Sequence, residues 1–196
     1  MKHLSSLFAA SLALVPSLAF AQEITDTAAT AGFVDHWGLA LALLGAALAT
    51  ALPCTGSSMG VSAVGQAGSG LLTEKPELAG KVITLAVLPG SQGLYGMVIS
   101  LLFLFSFGGP LLSGDLSLGV SEGVALFAAF IPVAIAGLTS APYQGKVCAA
   151  GMHMLARDSS LAGRVITLAA LVETYALLGF LISFFMLNSL RDSLLN

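Results

Sequence analysis

Four long stretches almost free of charge leave this chain few ways to fold. They run roughly over Trp37–Leu72, Glu77–Phe107, Glu122–Ala156 and Ser160–Leu190. Stretches this apolar and this long read as membrane-crossing helices. At 1.5 Å per residue they run about 45–54 Å, longer than a hydrocarbon core of about 30 Å, so they are expected to project beyond the bilayer on one side. Composition agrees: 57% of the 196 residues are hydrophobic and only 9% are charged, where soluble domains carry about 25%. The fold class is therefore an all-α integral membrane protein, one domain of a few helices in contact with the lipid bilayer. The net charge of −3 is no basic footprint, so nucleic-acid binding is not suggested.

Short polar breaks set the boundaries. Thr73-Glu74-Lys75-Pro76-Glu77 and Arg157-Asp158-Ser159-Ser160 read as turns, and residues 108–121 as a linker rich in Gly, Ser and Pro. This gives a first hairpin over residues 37–107 and a second over 122–196. Lys75, Lys81, Lys146, Arg157 and Arg164 lie at or toward the two turns, whereas residues 22–36 and the linker have no Lys or Arg. The positive-inside rule makes both hairpin turns cytoplasmic and puts the linker and both termini outside, with Arg191 a mild exception. The N-terminus reads the same way. Lys2 and His3, the apolar stretch Leu4–Phe20 and Ala19-Phe20-Ala21 before Gln22 form a secretory signal, cleaved after residue 21, with a retained extra helix as the rival reading. Residues 22–36 then form an exterior segment.

The chain also repeats itself. Leu78-Ala79-Gly80-Lys81-Val82-Ile83-Thr84-Leu85-Ala86 returns as Leu161-Ala162-Gly163-Arg164-Val165-Ile166-Thr167-Leu168-Ala169. Continued to Ser100 and Ser183, 13 of 23 positions are identical at a constant offset of 83. The protein is two tandem hairpins with the same orientation. The first and third helices are rich in small residues, such as Gly56, Gly60, Ser62, Gly65 and Gly68, or Gly137, Ser140, Ala141, Gly145 and Gly151. The second and fourth carry bulky Leu, Phe and Ile. An inner layer of thin helices inside an outer layer of thick ones suits a closed ring of many copies.

Glu173 is the one carboxylate in the apolar run Val165–Leu187, which holds no Lys or Arg. A charge at membrane depth costs at least several kcal/mol unless neutralised, which marks a functional site. It can be neutralised by a proton, by a cation from another chain, or by a metal cation. Its repeat counterpart is Gly90, inside the helix-weakening run Leu88-Pro89-Gly90-Ser91-Gln92-Gly93. Ser91, Gln92 and Tyr95 on the second helix and Gln144 on the third are candidate partners at matching depth. One carboxylate with several neutral oxygens makes a cage of net charge −1 that suits a monovalent cation. Divalent sites usually collect more carboxylates. The extra oxygens favour sodium over a proton, although Gln also orients a protonated Glu, and Gln and Ser in membrane helices can serve simply as interhelical glue. Cys54 and Cys148 read as small apolar core residues, Lys146 as an anchor reaching the cytoplasmic headgroups.

Three stretches together resemble the proteolipid ring subunits of V-type ATPases and ATP synthases, in particular those of bacterial sodium-translocating enzymes. They are Leu88-Pro89-Gly90-Ser91-Gln92-Gly93-Leu94-Tyr95-Gly96, Gln144-Gly145-Lys146-Val147-Cys148-Ala149-Ala150-Gly151 and Val172-Glu173-Thr174-Tyr175-Ala176-Leu177-Leu178-Gly179-Phe180. The resemblance covers about Trp37 to Asn188. It implies that Glu173, the Leu88 carbonyl, the Ser91 hydroxyl and the side-chain oxygens of Gln92 and Gln144 bind Na+, and that Tyr95 hydrogen-bonds to Glu173 and locks the site. The family commonly has Thr at the position of Ser91. It further implies a homo-oligomeric rotor ring in a bacterial plasma membrane, with a stator membrane subunit that carries an arginine, a central stalk and a soluble ATPase head. The chain has no GxxxxGK[ST] loop, so no nucleotide site of that kind is expected in it. The rivals are a proton-carrying ring, a stand-alone transporter or channel, and a structural proteolipid in which Glu173 is merely buried.

Overall fold

The computed structural model describes residues 37–195. The signal-like residues 1–21 and the segment 22–36 lie outside the described residues. Helix α1 is Trp37–Glu74. A 3-10 turn (Pro76–Leu78) leads into α2 (Ala79–Val87), a second 3-10 turn (Leu88–Gly90) and α3 (Ser91–Ser113), which together make the second span. Helix α4 is Val120–Arg157, and a third 3-10 turn (Ser159–Leu161) opens α5, Ala162–Leu195. Among the described residues there is no strand. The four spans hold 38, 38, 38 and 37 residues with mean hydropathy of 1.8 to 2.1, so each is about 57 Å long and longer than the sequence reading allowed.

The largest single extension is at the end of α3 away from the hairpin turns. The expected linker of residues 108–121 contracts to 114–119, because the helix continues through Gly108-Gly109-Pro110. Pro110 lies in the last turn of this helix, where it removes one backbone donor. The turn is held by the apolar cluster of Phe103, Phe107, Leu118 and Leu126 beneath it. The stop comes at Gly114, with φ of 78°, where the Leu116 N–H returns to the Pro110 carbonyl at 3.0 Å. Only glycine takes this left-handed conformation at no steric cost.

Helices α1 and α4 lie against each other along their length, and small residues make the approach possible. A Cβ on Gly60 would meet the Ala141 carbonyl oxygen at 2.5 Å, and one on Gly145 would meet Gly60 Cα at 2.4 Å. The bulkier α2, α3 and α5 pack outside this pair and turn Phe105 and Phe185 outward, 81% and 63% exposed. This is the thin inner and thick outer layering read from the sequence.

Two apolar clusters fill the bundle. The one away from the hairpin turns contains Ile99, Phe103, Phe107, Leu126, Phe130 and Leu187. The one toward the hairpin turns contains Val64, Val82, Leu85, Leu155 and Val165. Between them on the first three spans is a polar layer with buried Ser57, Gln92, Ser140 and Gln144. The two turns are tied together at one end. Lys75 Nζ donates to the Ala156 carbonyl, and Lys81 Nζ to the Ser159 carbonyl at 2.7 Å. Cations suit helix C-termini, where the last carbonyls lack intrahelical partners.

Candidate functional site

The site begins at a local weakness in the second span. Pro89 has no N–H to continue the α-helical ladder and Gly90 has low helix propensity, so the chain tightens into a 3-10 turn at Leu88–Gly90 before α3 resumes. The Ser91 N–H closes that turn on the Leu88 carbonyl, and the Ser91 hydroxyl lies 3.0 Å from the same oxygen. The first turn of α3 therefore starts at mid-span. It presents Ser91 and Tyr95 toward α5 and fully buries Gln92. The Gly93 N–H is met by Ser57 Oγ from α1 at 2.9 Å.

Glu173 sits opposite on α5, half-buried. Its Oε1 accepts the Tyr95 hydroxyl at 2.6 Å and the Ser91 hydroxyl at 2.7 Å. Its Oε2 lies 3.3 Å from Gln144 Nε2, which also donates to the Ala169 carbonyl at 3.1 Å. Gln144 Oε1 in turn accepts Gln92 Nε2 at 2.5 Å. Hydrogen bonds to a charged group contribute about 1.5–3 kcal/mol each, so these three neutral donors offset much of the cost of a carboxylate at this depth. No cationic side chain pairs with Glu173 among the described residues.

The same side chains also present oxygens. Gln92 Oε1 is buried without a hydrogen-bond partner, an expensive arrangement in an apolar interior. A half-turn of the Gln144 amide about its last side-chain bond exchanges Nε2 for Oε1 beside Glu173. One carboxylate, two amide oxygens, a hydroxyl and a backbone carbonyl are the kinds of donor that would suit a small hard monovalent cation. The set lacks the several carboxylates typical of a divalent site.

The structure thus brings Ser91, Tyr95 and Gln144 directly to Glu173. Gln92 reaches it through Gln144, and Leu88 through Ser91. Lys146 is two residues beyond Gln144, and its Nζ lies over the Tyr143 ring, 4.9 Å from the centroid, on the exposed face of α4. Three participants were not singled out from the sequence. The Ala169 carbonyl orients Gln144, and its place one turn before Glu173 was a usable signal. Phe180 packs on Tyr95 with ring centroids 5.6 Å apart, and it sits two turns beyond Glu173 on the same face. Ser57 holds the Gly93 N–H, and only the fold could reveal that pairing.

Comparison with known proteins identifies the family. The family model of the ATP synthase C-subunits matches residues 44–103 and 118–186, one match on each hairpin. The V-type sodium ATPase subunit K of Enterococcus hirae is 43% identical over 150 residues, which cover 76% of this chain and 92% of that protein. The A-type ATP synthase subunit K of Methanocaldococcus jannaschii is 35% identical over 149 residues, covering 76% of this chain and 62% of that protein. With both hairpins matched and one relative covered almost end to end, the chain belongs to the ATP synthase C-subunit family.

Proposed function

We propose that this chain is the rotor proteolipid of a V- or A-type rotary ATPase and that its cargo is Na+. The observation that carries the reading is Glu173. It is a mid-span carboxylate with no cationic partner among the described residues, surrounded by neutral oxygen-bearing side chains, one of which keeps a buried oxygen unpartnered. In this reading Glu173 supplies the negative charge. Gln92, Gln144, Ser91 and the Leu88 carbonyl supply neutral oxygens, and Tyr95 holds the carboxylate in place. A bound monovalent cation cancels the charge, so the loaded site can pass the lipid face of a turning ring. The empty, charged site needs a basic residue opposite, which a stator membrane subunit would supply. Torque would pass through a central stalk to a soluble head where ATP is made or hydrolysed. The similarity to the V-type sodium ATPase subunit K of Enterococcus hirae supports the choice of ion.

The basic residues at the hairpin turns support a plasma-membrane orientation with the turns cytoplasmic and both termini outside. In that orientation the ties from Lys75 and Lys81 lie on the side where a stalk would attach.

A hydrophobic carbodiimide tests the site, because it reacts with protonated carboxyls inside membranes. The expected result is that Glu173 is modified and that sodium slows the reaction at fixed pH, with potassium ineffective. Labelling that depends on pH but not on sodium would replace Na+ with H+ as the cargo.

A further inference from the structure

Two buried side-chain oxygens have no hydrogen-bond partner among the described residues, Gln92 Oε1 and Ser140 Oγ. A bound cation would satisfy the first. Ser140, only 6% exposed, has no place in the network around Glu173. An unpaired buried hydroxyl is costly, and a serine in a helix has a ready partner in the carbonyl four residues back. The adjacent Thr139 uses that partner, donating to the Ile135 carbonyl at 2.8 Å, and Thr84 donates likewise to Gly80 at 2.9 Å. Ser140 does not.

Ser140 is the repeat counterpart of Ser57, 83 residues earlier. Ser57 Oγ has a clear task, since it accepts the Gly93 N–H at 2.9 Å just beyond the 3-10 turn at Leu88–Gly90. The counterpart of Gly93 is Ala176, which lies inside the unbroken helix α5, where Val172-Glu173 replace Pro89-Gly90. The Ala176 N–H is taken up by the regular helical ladder, so the task of Ser57 does not exist for Ser140. The serine is present twice, and its second copy is left over.

The surroundings of Ser140 are those of the cargo site. It lies one helical turn before Gln144 on the same face of α4. Side chains lean toward the N-terminus of their helix, so the Gln144 stem leans toward Ser140. As the side chains stand, Gln144 Oε1 accepts Gln92 Nε2, and Gln144 Nε2 serves the Ala169 carbonyl and Glu173. Turning both amide oxygens to a cation breaks this arrangement. Gln144 Nε2 then takes the place of Oε1 and confronts Gln92 Nε2, donor against donor, because an amide nitrogen only donates. The displaced N–H groups need an acceptor. With Gln92 Oε1 committed to the ion, Ser140 Oγ is the one buried side-chain oxygen left without a partner among the described residues.

We propose that Ser140 is a positioning residue of the cargo site: its Oγ accepts the Gln144 amide N–H when Na+ is held, and so keeps the Gln144 oxygen turned to the ion. Ser140 itself does not touch the cation. Its own hydrogen turns to a carbonyl of the preceding turn, as that of Thr139 does. This role rests on the sodium reading of the site.

The test is Ser140→Ala in the full chain, on purified rings, with sodium as the probe. The sodium concentration that half-protects Glu173 from carbodiimide should rise roughly 10-fold, because a buried N–H loses its acceptor only when the ion is bound. Thermal melts without sodium should not fall, since the hydroxyl removed had no partner. Ser57→Ala, which strips an acceptor in use, should lower the same melt. An unchanged half-protecting concentration in Ser140→Ala, or a sodium-free melt that falls as in Ser57→Ala, would overturn the proposal. Absence of sodium protection in the unmodified rings would instead overturn the sodium reading, and this role of Ser140 with it.

Discussion

In the first hairpin Gly90 faces Val61, with a Cβ built on Gly90 lying 3.9 Å from Val61 Cγ2. In the second, 83 residues later in each helix, Glu173 faces Gln144 at 3.3 Å. Both members of the polar pair are thus absent from one hairpin and present in the other. The packing around them has not diverged in the same way. A Cβ on Gly68 would lie 2.4 Å from Val82 Cγ1, and one on Gly151 would lie 2.2 Å from Val165 Cγ1. Ser100 accepts the Thr50 hydroxyl at 2.8 Å, and Ser183 accepts the N–H of Val133, the residue in the place of Thr50, at 3.0 Å. The scaffold is kept twice and the carboxylate once. The first hairpin still contributes to the single site, through Ser91, Gln92 and Tyr95.

Several changes would break or sharpen this contrast, and the largest effect is expected at the carboxylate. Glu173→Gln should abolish sodium-coupled ATP turnover while rings still assemble, because the substitution keeps the shape and one acceptor oxygen for Ser91 and Tyr95 while it removes the charge and the acceptor that faces Gln144. Next comes Gln144→Val, which copies Val61 into the second hairpin. Losing an oxygen from a charged site at about 1.5–3 kcal/mol predicts sodium binding weakened roughly 10- to 100-fold, read from the sodium concentration that protects Glu173 from carbodiimide. The converse change, Gly90→Glu, has room for its Cβ but still faces Val61. Carbodiimide should then label both carboxylates, with sodium protecting only Glu173.

A smaller effect follows from packing. Gly60→Ala places a methyl against the Ala141 carbonyl in the tight seam, and overpacking of this kind costs about 1–3 kcal/mol. The repeat counterpart of Gly60 is Tyr143, which is 60% exposed, and Tyr143→Ala should leave the stability of the single chain nearly unchanged in thermal melts. The smallest effect concerns the two turns. Asp158, the counterpart of Lys75, accepts the Ser160 N–H at 2.8 Å. That bond, with Lys81 and Arg164 nearby, holds its carboxyl below the ordinary aspartate value of 3.8. A lowered folded-state pKa means that the contribution is present above that value and is lost as pH falls through the lower one. Asp158→Asn should therefore flatten the acid limb of a stability profile below about pH 4 and leave sodium binding alone.

Much of this was legible in the sequence because membranes and repeats both constrain strongly. The four apolar runs gave the spans, Pro89-Gly90 marked the break at Leu88–Gly90, and the offset of 83 aligned Glu173 with Gly90. The partners Ser91, Tyr95 and Gln144 were readable from depth alone. The helical continuation through Pro110 was not, since a Gly-Gly-Pro run normally ends a helix and only the apolar cluster beneath it sustains the turn. Ser57, Phe180 and the Ala169 carbonyl escaped notice for a related reason. Their roles depend on which faces meet, and helical periodicity is blurred where nearly every residue is apolar.

The central claim is that each chain carries one cargo site, built by both hairpins around the carboxylate of the second, although the scaffold is present twice. Equilibrium binding of radioactive sodium to purified rings, counted against chain concentration, tests this most directly. The account predicts one protectable sodium per chain, lost in Glu173→Gln and unchanged in Val61→Ala. A count near two, or a count of one that survives Glu173→Gln, would contradict it.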